Sequence, residues 1–212
     1  ISPNLINSIP YIKQKVSAVQ ELRENSSRDA TKRLALTPFL FGEIRQPEKG
    51  NYLLIPSTSS ERRRYIPIGF LDSSIIATNA NLIVPNATLY EFGILTSNVH
   101  NAWMRVVAGR LKSDYRYSAS IVYNNFPWPN PTKEQQAKIE KTAQSILTAR
   151  EKYKDCSLAD LYDEVTMPPE LRKAHQLNDK AVMEAYGFWG KVKTESECVS
   201  ELMKMYQKIT RE

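Results

Sequence analysis

The sequence predicts an α+β protein: a mixed α/β lobe with short strands, followed by an all-helical C-terminal lobe. Three observations carry this. From Asn51 the chain runs through short β-rich stretches broken by Pro, Gly, Asn and Ser; from Thr132 apolar positions recur at helical spacing; and the two textures meet at the proline-rich "FPWPNP". The 212 residues, 42% apolar and 25% charged, are enough for an ordinary domain plus a smaller one. No apolar run approaches the roughly 18 residues that a membrane span needs.

Taken in order, Ile12, Val16, Val19 and Leu22 fall at helical spacing within Tyr11–Glu24, and a second short helix over Arg28–Leu36 should end before Pro38. The runs "NYLLIP", "RRYIPIGFL", "SSIIATN" and "NLIVPN" read as strands, with Pro56, Pro67 and Pro85 at strand ends or edges because proline cannot donate to a ladder. Leu89–Leu111 reads as helix interrupted near Thr96–Asn98, with Ile94, Leu95, Val99, Trp103, Val106 and Val107 as core. "YRYSASIVYNNF" reads as a strand. Helices are then expected over Lys133–Tyr153, Ser157–Tyr162, Pro169–Tyr186 and Glu195–Ile209, with Thr132 and Gln135 as a capping box and "FPWPNP" as a hinge.

Several function classes lose ground at once. Cys156 and Cys198 have no CxxC spacing and read as free thiols in helices, which suits a reducing cytoplasm. The chain begins Ile1-Ser2-Pro3 without a basic and apolar leader, so no secretory signal is expected, and the start reads as a cut inside a longer protein. His100 and His175 lack metal-ligand spacing and read as helix-surface residues. No GxSxG, GxxxxGK[ST] or HExxH motif occurs. "DLYDE", Asp160–Glu164, reads as a solvated helix end, with a nuclease metal site as the other reading. "NFPW", Asn125–Trp128, is one residue away from the Asn-Pro-Pro-aromatic motif of amino-methylating enzymes, but Phe126 stands where the first proline belongs. The seven glycines form no GxG turn that could receive S-adenosylmethionine.

The charge is more informative once it is located. Residues 1–128 hold 15 Lys and Arg against 9 Asp and Glu, residues 129–212 hold 14 against 14, so the whole net charge of +6 lies in the first part. "SSERRRY" sets Arg62, Arg63 and Arg64 beside Ser59 and Ser60 in what reads as a loop between strands, a supply of donors for phosphate oxygens. "GRLKSDYRYS" mixes Arg110, Lys112, Asp114 and Arg116 with two tyrosines. If it is extended from Ser113, then Lys112, Asp114 and Arg116 share one face as donor, acceptor, donor. Such a row could read base edges in a major groove, or it could be a surface salt-bridge ladder.

The strings "SSERRRYIPIGFL", "NATLYEFGILTSNVHNAWMRVVAGRLKSDYRYS", "IVYNNFPWP" and "MPPELRKAHQLNDKAVMEAYG" resemble the C-terminal part of MmeI-type restriction-modification enzymes and related adenine methyltransferases, over about residues 30–190. The resemblance implies a target-recognition domain over 1–129 and a C-terminal helical domain over 130–212, with double-stranded DNA as partner. It also implies an upstream methyltransferase domain of the same chain that uses S-adenosylmethionine, and Mg2+ if a nuclease is present. Under it, Lys112 and Asp114 act on one base pair and Arg116 on another, and Asn79 and Ala80 form a second specificity segment; the basic stretches by their own chemistry make Ser59, Ser60, Arg62, Arg63, Arg64 and Arg110 the expected phosphate contacts. The chain itself would hold no catalytic residue, cofactor or metal. The alternatives are a methyltransferase active in its own right through "NFPW", and a helical protein-interaction module.

Overall fold

The structure, a computed structural model, describes residues 3–211; Ile1 and Ser2, where the expected recognition domain begins, and Glu212 lie outside them. The chain forms two compact units, Ile1–Arg45 and Gln46–Glu212.

In the first unit α1 (Pro3–Ser8), α2 (Pro10–Glu24) and α3 (Asp29–Arg33) run into a single tight turn at Leu34–Leu36. Pro10 starts α2 at a position where its missing N–H costs nothing. Arg23, in the last turn of α2, donates to the carbonyls of Leu34, Thr37 and Leu40 at 2.9, 3.0 and 2.9 Å. One guanidinium thereby organises the returning chain.

The second unit carries two three-stranded antiparallel sheets. In the first, β1 (Asn51–Pro56) lies between β3 (Gly69–Asp72) and β4 (Asn81–Pro85). Pro56 and Pro85 end their strands and Pro67 precedes one, as the missing N–H requires. The second sheet places β6 (Asp114–Arg116) between β2 (Thr58–Ser59) and β5 (Gly109–Leu111). Around them lie α4 (Leu89–Leu95), α5 (Asn98–Val107), α6 (Lys133–Glu151), α7 (Leu158–Leu161), α8 (Pro169–Ala185) and α9 (Glu195–Arg211). The result is the α+β arrangement with a helical C-terminal part that the sequence predicts.

The core joins Leu53 and Ile55 of β1, Phe92 and Ile94 of α4 and Trp103 of α5 to Ile139 and Ile146 of α6, Leu171 and Val182 of α8 and Leu202 of α9. It is continuous across the segment read as a hinge. Phe126, 4% exposed, meets His100 edge-on at 4.5 Å and Trp128 at 5.6 Å, and the Pro127 carbonyl accepts from the Tyr186 hydroxyl at 2.8 Å. Packing of this kind holds "FPWPNP" fixed. Gly93 is where α4 meets α6: a Cβ there would stand 2.6 Å from Ile139 Cγ2 and 3.2 Å from Ala143 Cβ.

The structure departs from the expected elements where side chains take over backbone hydrogen bonding. "SSIIATN" is not a strand. Its carbonyls at Ser73 and Ile75 accept from Gln46, and Ile75 also accepts from the Tyr52 hydroxyl, so no ladder is needed. In "RRYIPIGFL" the ladder starts only at Gly69, because Asn101 takes the Ile66 N–H and Arg150 donates to the Ile68 carbonyl. The long helix expected to Leu111 ends at Val107, where Ala108 turns extended and the chain enters β5; Val106 is 56% exposed, not core. In "YRYSASIVYNNF" the strand ends at Arg116, and Ala119–Tyr123 form one wide helical turn. The Ser118 hydroxyl caps that turn and the Trp103 indole donates to the Val122 carbonyl at 3.0 Å. Cys156 is free and exposed outside any helix; Cys198 is free and buried in α9.

Candidate nucleic-acid interface

The second sheet determines which side chains can act together. β5 and β6 form a hairpin whose last pair is Leu111–Asp114, leaving Lys112 and Ser113 as a two-residue loop. Lys112 has φ 56°, a left-handed conformation that favours glycine. The expected row of three on one strand face is therefore corrected. Asp114 and Arg116 alternate with buried Tyr115 and share the outer face, whereas Lys112 stands at the hairpin tip because two residues must reverse the chain.

The Asp114 Oδ1 accepts weakly from the Glu61 N–H at 3.4 Å, and the rest of the carboxylate is free to accept elsewhere. Arg110 lies on the opposite face, its guanidinium 3.9 Å from the Tyr115 ring centroid and donating to the Ser113 carbonyl at 2.7 Å. It braces the loop that presents Lys112. Glu61 stands 4.0 Å from the same guanidinium.

Ser57 draws the remaining segments in. Its N–H and its hydroxyl both donate to the Ala80 carbonyl, at 3.0 and 2.6 Å, and its own carbonyl accepts from the Tyr117 N–H at 2.9 Å. The turn carrying Asn79 and Ala80, both exposed, is thus tied to the strand next to Arg116. Ser57 links two segments distant in sequence, the turn at Asn79 and Ala80 and the strand that carries Arg116. Sequence reasoning missed Ser57, since nothing local distinguishes it from the other serines around it.

The basic loop is more divided than its sequence suggests. Ser59 is a strand residue paired with Tyr115 and 5% exposed, so its side chain belongs to the interior and not to a loop, a second correction. Ser60 accepts the Arg62 N–H at 3.3 Å and shapes the turn, leaving the Arg62 side chain exposed. Arg63 has a buried Nε without a partner among the described residues. Arg64 lies 5.6 Å over the Tyr65 ring. Arg62, Arg63 and Arg64 line a cleft of about 640 Å³ with Arg105, Lys193 and Trp189. Arg105 in that cleft is paired with Glu195 at 2.8 Å.

Behind the loop, Asp179 of α8 accepts from the Tyr65 hydroxyl at 2.6 Å and from the Asn98 N–H at 2.8 Å. Burial raises its carboxyl to about 6 despite both donors. The two histidines are not at a helix surface: both are fully buried, with His100 Nε2 2.8 Å from the Tyr117 hydroxyl and His175 Nε2 2.7 Å from that of Tyr162. Burial pushes His100 down to about 3, so it is neutral.

The residues present do not fit S-adenosylmethionine at "NFPW". Phe126 is consumed by the aromatic core, and Asn125 donates to the Ser120 carbonyl at 3.2 Å. Among the described residues no three His, Cys, Asp or Glu side chains are grouped to hold a metal, and no helix is long and apolar enough to cross a membrane.

Residues 2–130 match the family model of the MmeI target recognition domain, and residues 131–212 that of the MmeI C-terminal domain. This chain belongs to the MmeI family. A "DNA methyltransferase A" of Bacillus subtilis (strain 168) is 40% identical over 206 residues, which are 97% of this chain and 23% of that protein. The type IIL restriction-modification enzyme MmeI, solved in complex with DNA, is 49% identical, with a TM-score of 0.93 over 100% of this chain and 28% of that one. The chain therefore spans about a quarter of the length of these MmeI-family relatives.

Proposed function

We propose that this chain recognises a short duplex DNA sequence on behalf of a restriction-modification adenine methyltransferase and performs no chemistry itself. The observation that carries this reading is the exposed strip that joins Lys112, Asp114 and Arg116 to Asn79 and Ala80 through Ser57. Donors and acceptors at the tip of the β5–β6 hairpin and on the outer face of β6 suit the base edges of a major groove. Lys112 and Asp114 then read one G·C pair, donor to guanine O6 or N7 and acceptor from cytosine N4, and Arg116 reads another pair. Ser60, Arg62, Arg63, Arg64 and Arg110 are the proposed phosphate-contacting group; Ser59 is removed from it by its burial.

Methylating an adenine amine requires that base to leave the stack, so a grip on the flanking duplex is useful chemistry even without a catalytic residue. An upstream domain of the complete protein would hold S-adenosylmethionine, and Mg2+ if it also carries a nuclease. A location in the cytoplasm, with the cell's DNA, follows from this reading.

The test is salt-dependent binding. Arg62→Ala should weaken binding to every duplex and reduce the slope of log affinity against log salt by about one, without changing the preferred sequence. A changed preference with an unchanged slope would mean that Arg62 reads bases. Absence of any duplex binding at low salt by the complete gene product would end the reading.

A further inference from the structure

We infer that Thr58 is a specificity-determining residue of this interface, reading together with Arg116 the base pair that Arg116 addresses; this rests on the DNA-recognition reading above. The register of the second sheet leads to it. Tyr117 donates to the Ser57 carbonyl one step beyond β2 and β6, so the two residues face each other at a hydrogen-bonding position of the ladder, although the Ser57 N–H turns to Ala80. One residue on, Thr58 and Arg116 are register partners, and by alternation theirs is the non-hydrogen-bonded pair, in which side chains approach most closely.

Both side chains turn outward. The next pair, Ser59 and Tyr115, is buried at 5% and 8%, whereas Arg116 is exposed and Thr58 half-buried, as the period of two requires. On the other side Arg116 faces Gly109, where even an added Cβ would come no nearer than 3.8 Å to the Arg116 Cβ. That flank carries no side chain. Across the sheet, then, Arg116 is bordered by Thr58 on one side and by open space on the other.

The chemistry is complementary. A guanidinium donating to guanine O6 and N7 covers the purine half of a base pair and leaves the pyrimidine edge unread. The partner of guanine is cytosine, whose edge presents the N4 amine and a bare C5–H where thymine would carry a methyl group. Threonine offers a hydroxyl that accepts from the N4 amine and a methyl group that fits over C5–H but crowds the C5-methyl of thymine. Ser57, bonded to Ala80 on one side and Tyr117 on the other, fixes the backbone immediately before Thr58.

The experiment is selection of bound duplexes from a randomised pool by the complete gene product, comparing wild type, Arg116→Ala, Thr58→Val and Thr58→Ser. Arg116→Ala marks the position that Arg116 addresses. Thr58→Val keeps the branched shape and removes the hydroxyl; Thr58→Ser keeps the hydroxyl and removes the methyl. We expect each to lower base discrimination at the marked position by about fivefold or more, leaving the other positions as in wild type. Wild-type base frequencies in both variants, or an even loss of affinity at all positions, would overturn the role of Thr58. If the wild type itself enriches no sequence, the DNA-recognition reading falls, a result distinguishable from the failure of Thr58 alone.

Discussion

Lys112 adopts φ 56°, where a side chain costs about 1–2 kcal/mol relative to ordinary backbone and glycine costs little. The hairpin would be more stable with glycine at its tip. Lys112→Gly should therefore leave stability unchanged or raise it by about 0.5–1 kcal/mol in denaturant unfolding while weakening sequence-selective DNA binding. A large loss of stability would show that the lysine stem supports the fold. His100 gives a second prediction at this scale. The unfolded chain takes up a proton below about 6.5, whereas the folded chain keeps the imidazole neutral down to about 3. Its contribution is fully present above 6.5 and is lost as pH falls toward 3. His175, lowered mainly by burial with Arg150 and Arg64 adding, acts in the same direction. Asp179 acts the opposite way: held near 6 against an ordinary 3.8, it reduces stability as pH rises across that interval. Unfolding free energy measured from pH 7 to pH 4 should fall less steeply in His100→Gln than in wild type. Equal slopes would place the proton uptake elsewhere.

At the scale of elements, helix starts and helix contacts are the sensitive points. Thr132 accepts from the Gln135 N–H at 3.2 Å, and Gln135 accepts in return from the Thr132 N–H at 2.9 Å, the capping box expected from the sequence. Thr132→Ala should cost about 1 kcal/mol, read from the denaturation midpoint. Gly93→Ala tests packing instead of capping. Its Cβ would meet Ile139 and Ala143 on α6 and the Asn178 Oδ1 at 3.2 Å, so α4 and α6 must separate, at a cost of about 1–3 kcal/mol. Equal stability of Gly93→Ala and wild type would mean that the helices part without loss. The same scale explains which elements could be read in advance. β1, β4, α6, α8 and α9 carry their own periodicity and end signals. The run Ser73–Asn79 has β-branched residues too, but Gln46 and Tyr52 satisfy its carbonyls. Propensity yields to a tertiary partner there.

Across the second unit, buried polar links join segments far apart in sequence. Tyr65 reaches Asp179 across 114 positions, Asn178 donates to the Gly93 carbonyl at 2.7 Å across 85, and Arg150 donates to the Ile68 carbonyl across 82. Such links tie the strand-rich stretch to the helices at the base of the arginine loop. Tyr65→Phe should leave one oxygen of a buried carboxylate without its donor, costing about 1–3 kcal/mol and raising the Asp179 carboxyl further. Titration of that carboxyl by NMR in wild type and variant checks the direction; a fall would contradict the assignment. The positive charge concentrated in residues 1–128 acts at this scale as well, favouring polyanions without choosing among sequences.

Local order along the chain was enough to determine the α+β class, the strong helices with their caps, the proline positions at strand ends and the resemblance of long strings to the MmeI family, because periodicity, capping and motif order are properties of neighbouring residues. The candidate site was legible as a set of residues but not as a surface. Only the tertiary structure decided that Lys112 occupies a turn instead of a strand face, that Ser59 is interior, that Phe126 is core and that Ser57 bonds to Ala80. The burial of Ser59 and Phe126 and the bond of Ser57 depend on partners far along the chain, and the Lys112 turn on the register of the β5–β6 hairpin; register and burial are settled by such pairings, not by the residues' own propensities.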